Sequence, residues 1–384
     1  MKVAYVLPYL QKPGGWRTHA VSFLNAIRTY VDPVLFVSEA DTSVARSLFP
    51  GDTICSLPVT QEASLNHWRG LKGLIASQRA IAAGRFPRVE LVHSLEAYPT
   101  GLVGMWLSHK ADCPHIITAH GTYGVVWYEK PIDRRAYQRV LNDAALVCPV
   151  SHGTARLMRQ YFGQQLPTER VQPILNGNHF FQDIPRSEAT NRHLPAIPTL
   201  LSVGDVKPRK GQHISLAAFA RVKQQIPDAR YWIAGSYNNK DYYQGLQRFI
   251  REQRVQDVQF FGVLTGEELR CCYQEASLFI LTPQQEGLSF EGFGLVYLEA
   301  GAYGLPVIAT CSGGVGDAVE DGVTGILCEP GDVDGIADSI MVLLNDPERS
   351  REMGHANRSW AETLTWERNA EEQFQAYQSV LGAT

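Results

Sequence analysis

Two glutamates, Glu291 and Glu299, stand eight residues apart in the run SFEGFGLVYLEAGAYGLPVIA, which is otherwise apolar and rich in glycine. A carboxylate is costly to bury without a partner, and glycine weakens any helix it interrupts, so the pattern points to a ligand. GLVYLEAGAYG reads as a helix that begins near Gly294. Glu291 then lies in the loop ahead of it and Glu299 more than one turn inside. At a rise of about 1.5 Å per residue, the two carboxylates bracket an extended molecule instead of flanking one bond. That spacing does not suit a two-carboxylate glycosidase. A plain helix-start carboxylate also explains Glu291. A surface role explains Glu299 poorly, because Val296, Leu298 and Ala300 around it have the character of buried residues. Upstream, SVGDVKPRKGQ concentrates Lys207, Arg209 and Lys210 just before a second helix start. Such a cluster can be a solvated face, but at the end of a strand it is placed to neutralise a diphosphate.

Three other signals are weaker. His120 follows the strand-like HIITA and precedes Gly121, a position that fits a structural histidine as well as a ligand-touching one. Gly14 and Gly15 precede an amphipathic helix, WRTHAVSFLNAIRTY, whose amides could face an anion. They complete neither a GxGxxG fingerprint nor a Walker motif, so a loop glycine pair remains open. Asp332 and Asp334 in GDVDG have the DxD spacing of some metal sites, but they directly precede the helical GIADSIMVLL, where capping is the simpler role. No metal and no cofactor is expected.

The elements that must position these residues are short β-branched or aromatic runs alternating with helical patterns. In the first half they are KVAYVL, PVLFVS, ELVHSL, HIITAHG, ALVCPVS and VQPIL; in the second, TLLSVG, ARYWIAG, VQFFG, SLFILT, LPVIAT and GILCE. Most are continuously apolar, as strands covered on both faces are, and the strand–helix–strand succession predicts doubly wound parallel sheets. The series occurs twice, with a polar segment containing three prolines, 180–198, between the halves. The expected class is therefore α/β, with two Rossmann-like domains facing across a cleft: 1–180, then 181–365, and a last helix from 366 to 384. In open α/β sheets ligands bind beyond the carboxyl ends of the strands. His93, His120, Ser151, Asn176, Gly204, Gly235, Gly262 and Glu286 all fall at or just past such ends.

Composition narrows the class further. The chain has 384 residues, 45% hydrophobic and 19% charged, enough for full cores in two domains. A formal net charge of −4 gives no general attraction to nucleic acid or acidic membranes, so such contacts must be local. Seven cysteines without metal-ligand spacing indicate free thiols in a reducing compartment. The N-terminus is too short in apolar residues for a signal peptide, and a cytoplasmic protein is expected.

The spacing of Glu291 and Glu299 within EGFGLVYLEAGAYGLPVIAT resembles the signature of family 4 retaining glycosyltransferases, which have the GT-B fold. The resemblance covers nearly the whole chain. It takes in the glycine pair after the first strand, TAHG around His120, VSHGTARLM, ILNGNHFF, Lys210–Gly211, FFGVLTGEEL, SGGVGDAVEDGVTGILCEPGD and the terminal TWERNAEEQFQAYQSVL. It implies a hexosyltransferase that moves a sugar, without metal, from a nucleotide-sugar donor to an acceptor hydroxyl in polysaccharide or glycolipid biosynthesis, with a UDP-sugar favoured and a GDP-sugar next. By position, Glu299 would accept from the ribose hydroxyls, and Lys210 would hold the diphosphate with Gly14, Gly15 and the helix start at Gly294 and Leu295. Glu291, Gly292 and the amides of Phe293 and Gly294 would hold the transferred sugar. Gly262 and Val263 would meet the base through their backbone, and His120 would touch the sugar. Catalytic roles fall to His120, Lys210 and Glu291. The terminal helix would return to the first domain.

One departure stands out. The family commonly places arginine directly after the glycine of the VG strand end, where this chain has Asp205; Arg209 is expected to supply the missing charge, or Lys207, or Asp205 must turn away. The acceptor is unknown. The segment 63–89 carries Arg69, Lys72, Arg79, Arg85 and Arg88 with no acid, and could rest on anionic membrane or meet a phosphorylated acceptor. Arg134, Arg135 and Arg139 beside Trp127 and Tyr128 are a second candidate. A nucleotide-sugar epimerase of the same fold and a catalytically silent nucleotide-sugar binder are the alternative functions.

Overall fold

The computed structural model of the chain describes residues 1–7, 9–11, 15–59, 65, 67–186 and 195–382. The chain divides into two compact units, Met1–Gly177 with Trp366–Thr384, and Asn178–Thr365.

In the first unit, β1 (Lys2–Val6), β2 (Asp32–Ser38), β3 (Thr53–Leu57), β4 (Leu91–Ser94), β5 (His115–Ala119) and β6 (Leu146–Pro149) form one sheet in the order β3-β2-β1-β4-β5-β6. Every pairing is parallel. The crossovers are α1 (Gly15–Ile27), α2 (Thr42–Leu48), α3 (Trp68–Ala83), α4 (Thr100–Ala111) and α5 (Pro131–Asp143), and α6 (His152–Phe162) follows β6. One strand escaped the sequence analysis, and one sequence expectation is corrected. TICSL is a strand although it is not a continuous apolar run: it is the sheet edge, mostly part-exposed, so little hydrophobic pattern is required of it. VQPIL is not a strand. Pro173 cannot donate to a ladder, and only Val171 forms a bridge, to Val147 of β6.

In the second unit, β7 (Thr199–Val203), β8 (Arg230–Ala234), β9 (Val258–Gly262), β10 (Leu278–Leu281), β11 (Val307–Thr310) and β12 (Gly325–Cys328) form a parallel sheet in the order β12-β11-β10-β7-β8-β9. Its helices are α7 (Gln212–Gln225), α8 (Lys240–Glu252), α9 (Gly266–Glu275), α10 (Leu295–Ala302), α11 (Val315–Ala318), α12 (Val333–Asn345) and α13 (Pro347–Thr363). Both sheets have the doubly wound order, in which successive strands first build one side of the sheet and then the other. This leaves a switch point between β1 and β4 in the first unit and between β7 and β10 in the second. All six apolar runs of the second half are strands; β7, β10 and β11, inside the sheet, are buried along almost their whole length, whereas the edge strand β9 is largely part-exposed. Residues 187–194 of the expected linker lie outside the described residues; before them, the carbonyls of Phe181 and Ile184 accept from Arg358 of α13.

The last helix, α14 (Trp366–Gly382), packs on α1 and belongs to the first unit. Trp366, Ala370, Ala376 and Tyr377 join the core built from Tyr5, Phe23, Leu24 and Leu91. A buried polar chain fixes its register: Tyr377 Oη lies 3.2 Å from Tyr5 Oη and 2.6 Å from His93 Nδ1, and His93 Nε2 lies 2.8 Å from Thr118 Oγ1. His93 therefore sits within β4 with both ring nitrogens engaged. Burial, helped by the nearby His115 and His120, lowers its pKa to about 3, so it is neutral.

Candidate functional site

The switch point of the second unit collects the charged residues singled out above. After β7 the chain makes a 3-10 turn, Pro208–Lys210, and enters α7. After β10 it runs through Glu291 into α10. The two loops are tied by backbone: Gln284 N donates to Arg209 O at 2.8 Å, and Thr282 Oγ1 donates to Gly211 O at 2.8 Å. Gly211 has φ +71°, and a Cβ there would lie 1.7 Å from Thr282 O, so only glycine permits this approach. The result is that Arg209 Nη1 and Lys210 Nζ both donate to Glu291 Oε2, at 3.1 and 2.5 Å. Burial of Glu291 opposes its ionisation, but Lys210 and Arg209 outweigh it and hold the carboxyl below its usual range.

Beside this cluster α10 begins at Gly294, which adopts φ +92° and provides no side-chain cap. With Phe293 buried, Gly292 part-buried and no acidic residue in the first turn, the amides at Leu295 keep the hydrogen-bonding capacity and positive potential of a helix start. Glu299 lies on the same helix, next to Tyr273 of α9. Burial pushes its pKa up to about 7, offset in part by the Tyr273 hydroxyl, and among the described residues no cation compensates it as Arg209 and Lys210 compensate Glu291. The two glutamates thus differ sharply: one is ionised and paired, the other is poised between acid and anion.

Asp205 is neutralised locally. Ser236 Oγ donates to Oδ1 at 2.7 Å, and Lys207 Nζ lies 3.2 Å from Oδ2. Those partners overcome burial and hold the Asp205 pKa down. Lys207 is spent on that pair, whereas Arg209 turns toward Glu291. At the end of β9, Gly262 lies beside Tyr237: a Cβ on it would be 3.3 Å from Tyr237 Oη. Val263 is 79% exposed, an unusual position for valine, and Tyr237 stacks on Tyr243 with centroids 4.6 Å apart. Tyr237 and Ser236 escaped the sequence analysis, although they follow Gly235 directly and the strand-end rule reaches them. The aspartates of GDVDG are committed elsewhere: Asp332 caps α12 through Gly335 N, and Asp334 contacts Arg221.

His120 and Gly15 lie in the first unit, and Gly14 lies outside the described residues. His120 Nε2 is 3.1 Å from Leu95 O. Because a carbonyl only accepts, Nε2 carries the proton and Nδ1 keeps its lone pair. Burial lowers the His120 pKa to about 3, and Trp16 and His19 pack on its ring at 4.3 and 4.4 Å. A Cβ added to Gly15 would meet nothing within 4 Å, so packing does not demand glycine there. Glu96, just past β4, is 3% exposed, and burial pushes its carboxyl up to about 8. The strand-end rule also reaches Glu96, and the sequence analysis passed over it.

Comparison with known proteins identifies the family. Residues 14–177 match the family described as glycosyl transferase 4-like domain, and residues 186–360 match glycosyl transferases group 1. The chain is 33% identical over 291 residues to a GDP-mannose-dependent alpha-(1-6)-phosphatidylinositol monomannoside mannosyltransferase of Mycolicibacterium smegmatis, covering 73% of this chain and 75% of that protein. Among solved structures, sucrose-phosphate synthase from Thermosynechococcus elongatus superposes with TM-score 0.75 at 22% identity over all of both chains. The Anabaena protein HepE, crystallised with UDP and glucose, does so with TM-score 0.72 at 19% identity over 99% of this chain and 100% of that one. With its two doubly wound parallel sheets and its C-terminal helix returned to the first, this chain belongs to the group 1 family of glycosyltransferases, family 4, and has their GT-B fold.

Proposed function

We propose that this glycosyltransferase moves a hexose from a nucleoside-diphosphate sugar to a hydroxyl of a lipid-linked or glycan acceptor, with retention of configuration and without a metal. The observation that carries this is the convergence of Arg209 and Lys210 on one oxygen of Glu291 beside the uncapped start of α10. As the sugar–phosphate bond breaks, negative charge builds on the departing diphosphate. Fixed cations and helix-end amides stabilise it without reorganising. In this role Arg209 and Lys210 turn to the diphosphate. Glu291, freed from them in part, accepts from the transferred sugar together with Gly292 and the amides of Phe293 and Gly294.

Glu299 is assigned to the ribose hydroxyls, because a desolvated carboxyl with no cation beside it among the described residues is the group that two donating hydroxyls would satisfy. Gly262 and Val263 are assigned to the base through their backbone, with Tyr237 at its face. His120, neutral and with Nδ1 able to accept, is assigned to a sugar hydroxyl. The donor order expected from the sequence was UDP-sugar before GDP-sugar; the relative at 33% identity uses GDP-mannose by its name, which favours a GDP-sugar here. Its acceptor is a phosphatidylinositol mannoside, which supports a lipid-linked acceptor and contact with a membrane surface.

That contact is assigned to α3. Trp68 is 67% exposed, Lys72 Nζ sits 4.7 Å above its ring, and Ile75 projects with them. Among the described residues no helix is long and apolar enough to cross a membrane. Of the basic segment 63–89, residues 63, 64 and 66 lie outside the described residues.

The test is a thermal-shift panel of GDP-mannose, UDP-glucose and ADP-glucose, followed by transfer assays on the stabilising donor with mannosylated phosphatidylinositol and with glycan acceptors. A donor-dependent product with retained anomeric configuration is expected. Saturable binding without turnover on any acceptor, or isomerisation of the donor, would overturn the assignment.

A further inference from the structure

The first unit carries a cavity of about 630 Å3 between the start of α5 and the end of α6, lined in part by Arg134, Arg135, Gln138, Arg159 and Tyr161. Its three arginines lack acidic partners: among the described residues no ion pair links any of them to a carboxylate. The Nε of Arg159 is buried and donates to nothing. Arg134 is held in place, its guanidinium 5.1 Å from the Tyr128 ring centre and its Nη1 3.4 Å from the Tyr128 carbonyl. Tyr128 is in turn fixed against Tyr161 and Phe162, at 5.0 and 5.7 Å. The neighbouring Arg170 shows what a structural arginine does here: it donates to the carbonyls of Leu141, Asn142, Ala144 and Gln165. Arg134, Arg135 and Arg159 have no such set of acceptors.

Three like charges around one concavity repel, and in a partly buried setting that repulsion is weakly screened. On a chain of net charge −4 it is not a by-product of general basicity. An anion removes the repulsion, and guanidinium forks match the paired oxygens of a phosphate. The remaining lining offers amides and a phenol, groups that hydrogen-bond hydroxyls. The sequence analysis grouped Arg139 with Arg134 and Arg135. In the structure Arg139 is absent from the cavity lining and Arg159, from a different helix, completes the set.

We propose that this cavity binds a phosphate group carried by a hydroxylated molecule, with Arg134, Arg135 and Arg159 on the phosphate and Gln138 and Tyr161 on hydroxyls. The site lies between α5 and α6 and shares no residue with the donor site assigned to the second unit. A free sugar phosphate and the headgroup of a phospholipid present the same chemistry.

Calorimetric titration of the full chain carrying Lys210→Ala, which weakens the proposed diphosphate subsite, separates the two sites. Glucose 6-phosphate is expected to bind more tightly than inorganic phosphate. Arg134→Gln and Arg159→Gln are each expected to weaken it at least tenfold and the exposed Arg135→Gln about threefold, with Arg139→Gln unchanged. Arg135→Gln keeps the test valid should the buried-side variants fail to fold, as circular dichroism would reveal. Sedimentation with phosphatidylglycerol vesicles then distinguishes the sources. Competition by glucose 6-phosphate that disappears in Arg135→Gln assigns a lipid headgroup, and tight glucose 6-phosphate binding without such competition assigns a free sugar phosphate. No heat with either phosphate probe, or equal affinities across the arginine variants, would overturn the proposal. Donor thermal shifts in Arg135→Gln with Lys210 intact are expected to match the unsubstituted chain, so failure of this site leaves the transferase assignment standing.

Discussion

Glu291 and Glu299 share a sequence motif, one in the loop ahead of α10 and one on the helix, yet their surroundings set opposite charge behaviour. Arg209 and Lys210 keep Glu291 ionised, so its contribution to stability is present above the ordinary glutamate range and is lost as pH falls through its lowered pKa. Glu299 runs the other way. The folded chain holds its proton up to about pH 7, whereas the unfolded chain releases it near 4.5. Stability from this group therefore falls as pH rises from about 4.5 to about 7 and is level above that. Glu299→Gln should raise stability at pH 8, by up to about 3 kcal/mol from the size of the shift, read by urea denaturation. The same variant should bind the donor less tightly and lose the rise in donor affinity between pH 6 and 8 expected of the unsubstituted enzyme. A variant that is no more stable at pH 8 would show that Glu299 is not held protonated. For the cationic pair, Arg209→Ala and Lys210→Ala should each lower kcat about 100-fold with the fold intact by circular dichroism. Full activity in both would remove them from the leaving-group role.

At the scale of elements, the site depends on how closely the β7 and β10 loops approach. Gly211→Ala places a methyl against Thr282 O and should push the Pro208–Lys210 turn away from Glu291. A stability loss of about 2 kcal/mol or more and weakened donor binding are expected, from thermal melts with and without donor. The C-terminal helix is held differently. Tyr377→Phe leaves the Tyr5 hydroxyl and His93 Nδ1 without their buried partner, at a cost of about 1–3 kcal/mol. Because Tyr377 is remote from the charged cluster in sequence and lies in the other unit, kcat below the melting transition should not change. A large drop in kcat with unaltered melting would assign this helix a role beyond packing.

For the molecule as a whole, the expected donor behaviour is stabilisation by a nucleotide sugar in proportion to the logarithm of its concentration, with turnover persisting in EDTA. Strict dependence on Mg2+ or Mn2+ would reverse the metal-free assignment. Binding to phosphatidylglycerol-containing vesicles should weaken severalfold in Trp68→Ala and with rising salt, since an exposed ring and flanking cations act together on an anionic surface. Flotation without any bound protein would exclude that surface as a membrane contact.

Local pattern alone was enough for most of the double series of parallel strands and for the helix starting next to Gly294, and it singled out Glu291, Arg209 and Lys210, which the folded chain brings together. Strands buried on both faces must be apolar along their length, and a helix start marked by glycine brings no side chain of its own to cap its amides; both leave a trace in consecutive residues. The same logic failed where burial was partial, as at the edge strand Thr53–Leu57, and where a proline interrupted an otherwise strand-like run at Val171–Leu175. Tertiary structure alone decided which charges meet. Arg209 and Lys210 reach Glu291 across some eighty residues, Lys207 is consumed by Asp205, and Arg159 joins Arg134 and Arg135 while Arg139 does not. Whether a charge is paired or poised depends on distance and desolvation in the folded chain, and neither is a property of residues adjacent in sequence.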